Sequence, residues 1–328
     1  CTGRDITYPY IYLSILSLMF VGLCMASRGE VTALDYTATL AGWAEQFSDL
    51  PGFVYLDSGT SGDGAELEVV TALPTVIHRL QDYSANLDDW MTALEADLHT
   101  ACAQSAIVGT SACFTGCVAI GSLDYDAPAA SLRLQDEPKS RTMAGLYHWL
   151  LVTHRRSQTT ELIIHPDCPA VTRQRITSLL ETKPTAVPAG FHLAEHFRPA
   201  ISKTHYQAHI GRIQDYILAG DCYQVNYAQR FEAGLEGDAW SAYRYVRTLL
   251  AGGFSGFLRT AEDHAILSLS PERFLRIHQG TITSQPIKGT APRHSDPEQD
   301  EALAKALLNS EKDRAENVMI TDLLRNDL

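Results

Sequence analysis

The chain has 328 residues, with 26 Lys and Arg against 39 Asp and Glu, which gives a formal net charge of −13. A protein without a net positive field does not attract phosphate backbones, so this charge argues against a nucleic-acid-binding function. An anionic small substrate is still compatible, because such a ligand needs only a local positive site. The 7 cysteines follow no repeated spacing, which argues against a disulfide framework and favours reduced thiols in a cytoplasmic protein.

The N-terminal region has a cysteine at position 1 and a nearly uninterrupted apolar stretch at residues 10–25. This length is borderline for a membrane span, which needs about 20 apolar residues. Three interpretations stay open: translated upstream sequence that is not part of the protein, a signal peptide, or a membrane anchor. We favour the first, because Met25 begins a sequence typical of a soluble N-terminus. Residues 1–24 are therefore treated as a non-native upstream segment or hydrophobic leader, and no membrane partner is expected.

The first half of the chain alternates short apolar runs with turn residues, which predicts strands joined by a few helices. Strands are predicted at residues 53–56, 67–70, 115–123, 145–153 and 161–164. Helices are predicted at residues 75–98, where apolar residues recur at helical intervals, and at residues 169–181. Residues 182–201 carry Pro184, Pro188, Gly190 and Pro199 and are predicted to be a connector.

The second half of the chain gives sharper signals. A helix is predicted at residues 203–219, with Ser202 or Thr204 as its N-cap and Gly220 at its end. Residues 222–231 alternate apolar and polar side chains, a pattern typical of a strand. Further strands are predicted at residues 254–259, 265–269, 274–278 and 281–285, and further helices at 239–250, 297–308 and 312–324.

Two polar motifs follow predicted strands in this half. Ser270-Pro271-Glu272-Arg273 places an acid at a strand junction, although a solvated turn would give the same pattern. Lys288 lies between Ile287 and Gly289, which suggests a shielded amine. Burial lowers a lysine pKa by up to about 3–5 units, and this would make Lys288 a nucleophile or base. The alternative is a surface lysine in a loop.

Two further pairs of residues suggest a polar site. Asp313 and Glu316 are three apart on a predicted helix and so share a face. Two such carboxylates can hold a hard divalent cation such as Mg²⁺, or can simply form an exposed salt-paired face. Gln224 and Asn226 point the same way from the predicted strand at 222–231. They would form a polar pocket wall or the solvated face of that strand.

Taken together, five motifs in fixed order resemble those of the chorismate-utilising enzymes, the anthranilate synthase component I family. They are Asp221-Cys222-Tyr223-Gln224-Val225-Asn226, residues 267–274, Pro286-Ile287-Lys288-Gly289-Thr290, residues 312–317 and residues 322–327. The resemblance implies an α+β fold with two packed antiparallel β-sheets and helices on the outside. It assigns residues 25–200 to the N-terminal region and residues 201–328 to the first half of the chorismate-binding catalytic domain. Because the family's catalytic domain continues further, we expect this chain to be C-terminally truncated and inactive by itself.

Two positions separate the reactions within the family. Isochorismate and salicylate synthases usually have a water-activating lysine where this chain has Gln224. Anthranilate synthases usually have alanine where this chain has Lys288, and a lysine there is typical of aminodeoxychorismate synthases. The resemblance therefore implies that Lys288 is the nucleophile and Glu272 the general acid in the amination of chorismate at C4. It also implies substrate contacts from Gln224, Gly289 and Thr290 and an Mg²⁺ held by Glu316 with Asp313.

The resemblance also implies partners. Ammonia would come from a separate glutamine amidotransferase subunit, because no amidotransferase nucleophile motif is present in this sequence. Leu56-Asp57-Ser58 resembles the family's Leu-Glu-Ser element, so Leu56 and Ser58 are candidate contacts for a bound tryptophan. Two alternatives stay open: an anthranilate synthase component I, or a catalytically inactive homologue that binds chorismate or tryptophan.

Overall fold

The computed structural model describes residues 18–23, 29–58, 67–103, 117–127, 140–182, 190–250, 252–278 and 281–327. The chain divides into two compact units, residues 1–269 and 270–328. The strands are β1 (Leu18–Leu23), β2 (Glu30–Leu34), β3 (Val54–Asp57), β4 (Leu67–Thr71), β5 (Val76–Arg79), β6 (Val118–Leu123), β7 (Met143–Tyr147), β8 (Trp149–His154), β9 (Thr159–Ile164), β10 (Phe191–Leu193), β11 (Arg198–Pro199), β12 (Phe231–Glu232), β13 (Leu235–Gly237), β14 (Phe254–Ala261), β15 (His264–Ser270), β16 (Arg273–His278) and β17 (Thr281–Gln285). The helices are α1 (Ala41–Ala44), α2 (Leu87–Ala103), α3 (Ala170–Glu181), α4 (Lys203–Ala219), α5 (Ala239–Leu249), α6 (Pro297–Asn309) and α7 (Glu311–Asp327).

Two large antiparallel sheets form the core of the first unit, which also contains the two-stranded pairs β10-β13 and β11-β12. One has seven strands in the order β15-β14-β3-β4-β8-β9-β2, and the other has four in the order β1-β6-β7-β5. Apolar side chains from both sheets meet in one buried cluster, which includes Val54 and Val152 from the first sheet and Ile120 and Tyr147 from the second. The two sheets therefore pack face to face, as the resemblance implied.

Helices cover the two outer faces of this pair of sheets. Trp90 and Leu94 of α2 pack with Ala119 of β6 in a cluster on the four-stranded sheet. On the seven-stranded sheet, Trp240 of α5 packs edge-on against Phe53, with ring centroids 5.1 Å apart. The α+β architecture with helices outside is thus confirmed, and burial of these aromatic rings supplies much of the hydrophobic stabilisation.

The helix predicted at residues 75–98 is wrong in its first half. Residues 76–79 form β5, paired antiparallel with β7, and a short 3₁₀ turn spans Leu80–Tyr83. Ser84 and Ala85 then adopt positive φ angles of 53° and 60°, which a continuous α-helix does not allow. The helix begins only at Leu87, where the Asn86 side chain accepts the Asp88 N–H at 3.0 Å.

Two other strand predictions also need correction. Residues 145–153 are not one strand, because the chain leaves the four-stranded sheet after β7 and enters the seven-stranded sheet as β8. Residues 222–230 lie outside any strand. At the end of this segment, the Ala200 N–H donates to the Arg230 carbonyl at 2.8 Å, next to the short β11–β12 pair. Tyr227 packs on α4, where its hydroxyl lies 2.5 Å from His209 Nδ1.

Most of the apolar N-terminal stretch lies outside the described residues. Leu18–Leu23 forms β1, whose backbone pairs antiparallel with β6 from Leu18 opposite Leu123 to Leu23 opposite Val118. No described helix has the length and apolar character that a bilayer crossing requires. The assignment of residues 1–24 to an upstream or leader segment stays a prediction, as does the boundary near residue 200.

A buried histidine pair lies where the chain crosses between the sheets. The rings of His148 and His165 have centroids 5.0 Å apart, and both residues are buried. Thr75 Oγ1 lies 2.9 Å from His148 Nδ1. Burial lowers the pKa of both imidazoles, and the nearby His165 lowers the pKa of His148 further. The Asp167 carboxylate partly offsets these effects, because its negative charge raises both pKa values.

We expect this pair to make the fold sensitive to acid. Below the ordinary histidine pKa of about 6.5, these two imidazoles bind protons more readily in the unfolded chain than in the folded chain. The free energy of unfolding then falls with decreasing pH, by up to about 1.4 kcal/mol per pH unit for each histidine. We would measure the free energy of unfolding by urea denaturation at several pH values between 7 and 5. Its decrease with falling pH should be smaller in His165→Asn than in the unmodified protein. His99→Asn, at a side chain that is 75% exposed, should leave this decrease unchanged, and equal decreases in all three proteins would contradict this account.

Candidate active site

Glu272 is fixed by a tight turn at the start of the second unit. Ser270 Oγ accepts the Glu272 N–H at 3.1 Å and donates to the Glu272 carbonyl at 3.0 Å. The hydroxyl thus closes a local turn, and β16 begins at the next residue. The Ser-Pro-Glu-Arg motif is therefore a structured junction that sets the position of the Glu272 carboxyl group, which is half-buried.

The carboxyl group of Glu272 reaches the segment that carries Lys288. Strands β16 and β17 form a hairpin in which Arg273 lies opposite Gln285. Glu272 and Ile287 therefore lie beyond its open end, and Glu272 Oε1 accepts the Ile287 N–H at 3.2 Å. This bond places the proposed acid next to the backbone of the proposed nucleophile, whose side chain is half-buried.

Gly289 lies against the junction of α6 and α7. A Cβ atom built at Gly289 would lie 2.8 Å from Asp313 Cγ and 2.9 Å from both Asp313 Cβ and Leu307 Cδ1. Such separations are shorter than real Cβ contacts, so a side chain at this position would force Asp313, Leu307 or the backbone to shift. Thr290, the next residue, is exposed.

Asp313 and Glu316 lie one turn apart on α7, and both side chains are half-buried. Carboxylate oxygens are the ligands that Mg²⁺ prefers, and proteins often bind this ion through only one or two of them together with substrate oxygens. The described residues contain no cluster of three or more metal-ligating side chains suited to a metal ion. The oxygen chemistry of this pair suits Mg²⁺, and its assignment as the Mg²⁺ site stays a prediction.

Gln224 belongs to the first unit, in the irregular segment that follows α4. Its Oε1 is buried and accepts no hydrogen bond from the described part of the chain. A buried acceptor left without a donor destabilises the fold by about 1–3 kcal/mol, and a bound ligand with an N–H or O–H group would satisfy it. This agrees with the prediction that Gln224 contacts a ligand, which stays a prediction.

Leu56 and Ser58 lie at the end of β3. The Leu56 backbone pairs with Val69 and Gly256, in the middle of the seven-stranded sheet. Ser58 Oγ donates to the Leu67 carbonyl and accepts the Leu67 N–H, both at 2.8 Å. The hydroxyl of Ser58 thus joins β3 to β4, and its role toward tryptophan stays a prediction.

The sequence reasoning missed a buried cluster of four charges in the first unit, formed by Asp57, Glu68, Arg155 and Arg247. Arg155 lies within ion-pair distance of both carboxylates, and so does Arg247. The Glu68 side chain is fully buried and that of Asp57 nearly so. The sequence did contain a signal for this cluster, because Asp57 and Glu68 are acidic residues within otherwise apolar strands. Buried charges need partners of opposite charge, so nearby arginines could have been expected.

Glu68 is the centre of this cluster. Its Oε2 accepts the Tyr55 hydroxyl at 2.7 Å and the Leu40 N–H at 2.6 Å, and its Oε1 accepts from Arg247 Nη2 at 2.9 Å. Burial and the adjacent Glu68 carboxylate raise the pKa of Tyr55 well above its usual range. Burial acts to lower the pKa of Arg247, but hydrogen bonding to Asp57 and the nearby negative charges leave it raised. Through Arg247, the cluster connects α5 to the sheet.

Comparison with known proteins defines the class of this chain. The chain belongs to the family of chorismate binding enzymes, which matches residues 54–328. The crystal structure of anthranilate synthase component I from Streptococcus pneumoniae has the same fold, with a TM-score of 0.58 and 19% identity over 82% of this chain and 62% of that one.

The most informative sequence relatives belong to one branch. Aminodeoxychorismate synthase component 1 of Klebsiella aerogenes is 44% identical over 184 residues, which is 56% of this chain and 40% of that protein. The same component of Escherichia coli strain K12 is 42% identical over 184 residues, 39% of its length. The matched segment thus spans about two fifths of these relatives.

Proposed function

We propose that the whole protein is component 1 of an aminodeoxychorismate synthase. It would convert chorismate and ammonia to 4-amino-4-deoxychorismate, a precursor of para-aminobenzoate and folate. The observation that carries this proposal is the position of Lys288: the backbone N–H of the preceding residue, Ile287, donates a hydrogen bond to the Glu272 carboxylate. Support comes from the 44% identity to a relative of that name over 184 residues.

The chemistry explains why a lysine is needed. Ammonia attacking C2 of chorismate directly would lead to anthranilate, whereas the proposed product carries the amine at C4. In the proposed route the Lys288 amine forms a bond to C2, both ring double bonds shift, and the C4 hydroxyl departs. Ammonia then forms a bond to C4, both double bonds shift back, and the Lys288 amine leaves C2. Two displacements through the conjugated diene thus return the substituent to C4.

Glu272 supplies the proton in the first displacement. Hydroxide is a poor leaving group, so the C4 hydroxyl must be protonated as its bond breaks and leaves as water. The carboxylate formed on Glu272 can take up the proton that ammonia loses when it bonds to C4. Its hydrogen bond to the Ile287 N–H keeps the carboxyl group beside the Lys288 segment during this exchange.

Three further components belong to the proposal. Mg²⁺ would be held by Glu316 with Asp313, and when bound it supplies positive charge that neutralises a substrate carboxylate. This would let a chain with a net charge of −13 bind a dianion. Ammonia would come from a glutamine amidotransferase subunit, the second component that the relatives' name "component 1" suggests. A tryptophan bound near Leu56 and Ser58 completes the proposal.

The test is the product formed by the full-length protein. With chorismate, ammonium and Mg²⁺, liquid chromatography and mass spectrometry should detect an aminated chorismate that keeps its enolpyruvyl group. Anthranilate in its place would assign the protein to the anthranilate synthases. Binding of chorismate with no product would favour the inactive-homologue alternative.

A further inference from the structure

Lys288 is held from both sides by contacts within the second unit. On its N-terminal side, the backbone N–H of Ile287 donates to Glu272 Oε1 at 3.2 Å. On its C-terminal side, Gly289 lies so close to Asp313 that an added Cβ would be 2.8 Å from the carboxyl carbon. The two neighbours of Lys288 therefore have fixed partners, and the lysine backbone has little freedom to move relative to either.

Asp313 is itself fixed to the start of α7. Its backbone N–H donates to Ser310 Oγ at 3.3 Å, and the Arg314 N–H donates to the Ser310 carbonyl at 3.0 Å. These are the contacts of a helix N-cap, which hold the first turn in place. The position of the Asp313 side chain is thus set by the helix that also carries Glu316.

We propose that Asp313 is a positioning residue, which acts through the backbone of Gly289 to fix where the Lys288 amine lies relative to α7. A Cβ at position 289 would meet Asp313 and Leu307 within 3.0 Å, so either these side chains or the Lys288 segment would have to shift. The importance of this contact for turnover rests on the proposed function, but the contact itself can be tested without turnover. A displacement of about 1 Å can lower a rate by about 100-fold when a reaction depends on near-attack geometry.

The first test compares two glycine substitutions in the full-length protein. Gly289→Ala should lower kcat for amination of chorismate by 10-fold or more, with a smaller change in KM, because the added Cβ misplaces the nucleophile. Gly253→Ala is the matched control, since an added Cβ there meets nothing within 4 Å. Equal kcat values for the two variants would overturn the proposal. If the unmodified protein forms no C4-aminated product, the proposed function fails, and the labelling of Lys288 described next decides the positioning role by itself.

The second test measures the lysine directly, without substrate or Mg²⁺. The rate at which acetic anhydride modifies Lys288 would be followed by mass spectrometry of the peptide that contains it. Asp313→Ala should change this rate by several-fold, whereas Asp313→Asn, which keeps the shape in contact with Gly289, should restore it to near the unmodified value. Labelling of Lys305 on α6, whose side chain is 67% exposed, serves as the internal reference. Equal rates in the unmodified protein and Asp313→Ala, or equal changes in Asp313→Ala and Asp313→Asn, would refute a positioning role through contact.

Discussion

Lys288→Ala in the full-length protein should abolish formation of 4-amino-4-deoxychorismate, with a loss in kcat on the order of 10³-fold or more. The reason is that the proposed route forms and breaks a bond to this amine, which an alanine side chain lacks. Product formation from chorismate and ammonium would be followed by chromatography with mass detection. The matched control is Lys305→Ala, which removes an exposed lysine paired with Glu301 on α6.

Two outcomes would contradict this expectation in different ways. If the Lys288→Ala variant still aminates C4 at the unmodified rate, the lysine is not the nucleophile and ammonia reaches C4 by another route. If the unmodified protein and the variant both make anthranilate, the lysine does not select the position of amination. Retention of chorismate binding by the variant, measured by calorimetry, would show that the loss lies in chemistry rather than in folding.

The second large effect concerns stability. Glu68→Ala should lower the free energy of unfolding of the first unit by about 3–5 kcal/mol, since removing one partner of a buried ion pair leaves the remaining charge uncompensated. Arg155 and Arg247 would lose a carboxylate, and the buried Tyr55 hydroxyl would lose its acceptor. Urea unfolding at pH 7 measures this difference.

Two controls separate charge from burial in this experiment. Glu68→Gln keeps the shape and accepting oxygen for Tyr55 but removes the charge, so its effect should be large but smaller than that of Glu68→Ala. Glu95→Ala changes a side chain that is 73% exposed and should alter stability by about 0.5 kcal/mol or less. A Glu68→Ala effect no larger than that of Glu95→Ala would mean that the cluster adds nothing to stability.

Local signals were sufficient for several helices. The helix predicted at residues 203–219 has those bounds in the structure, with Ser202 Oγ accepting the His205 N–H and Gly220 at a φ of 82°. Both ends are set by residues adjacent in sequence, which is why they could be predicted. The helix prediction for residues 75–98 was wrong because the structure there depends on a contact that is remote in sequence. Strand β5 forms because it pairs with β7, about 65 residues further along the chain.

The candidate site also contains some features that the sequence predicts and others that depend on contacts between remote segments. The motif order led to the expectation that Glu272 and Lys288 belong to one site, and the hairpin of β16 and β17 joins their segments. The contact between Gly289 and Asp313 could not be predicted, because it depends on how a loop packs on two helices. The cluster around Glu68 was missed for a similar reason, since its arginines come from a turn and a helix remote in sequence.

The position of the new amine on the chorismate ring tests the central claim most directly. Full-length protein given chorismate, Mg²⁺ and ¹⁵N-labelled ammonium would be analysed by nuclear magnetic resonance, which locates the label on the product ring. The account predicts the label at C4, with the enolpyruvyl group retained. A label at C2, or release of pyruvate with anthranilate as product, would contradict it.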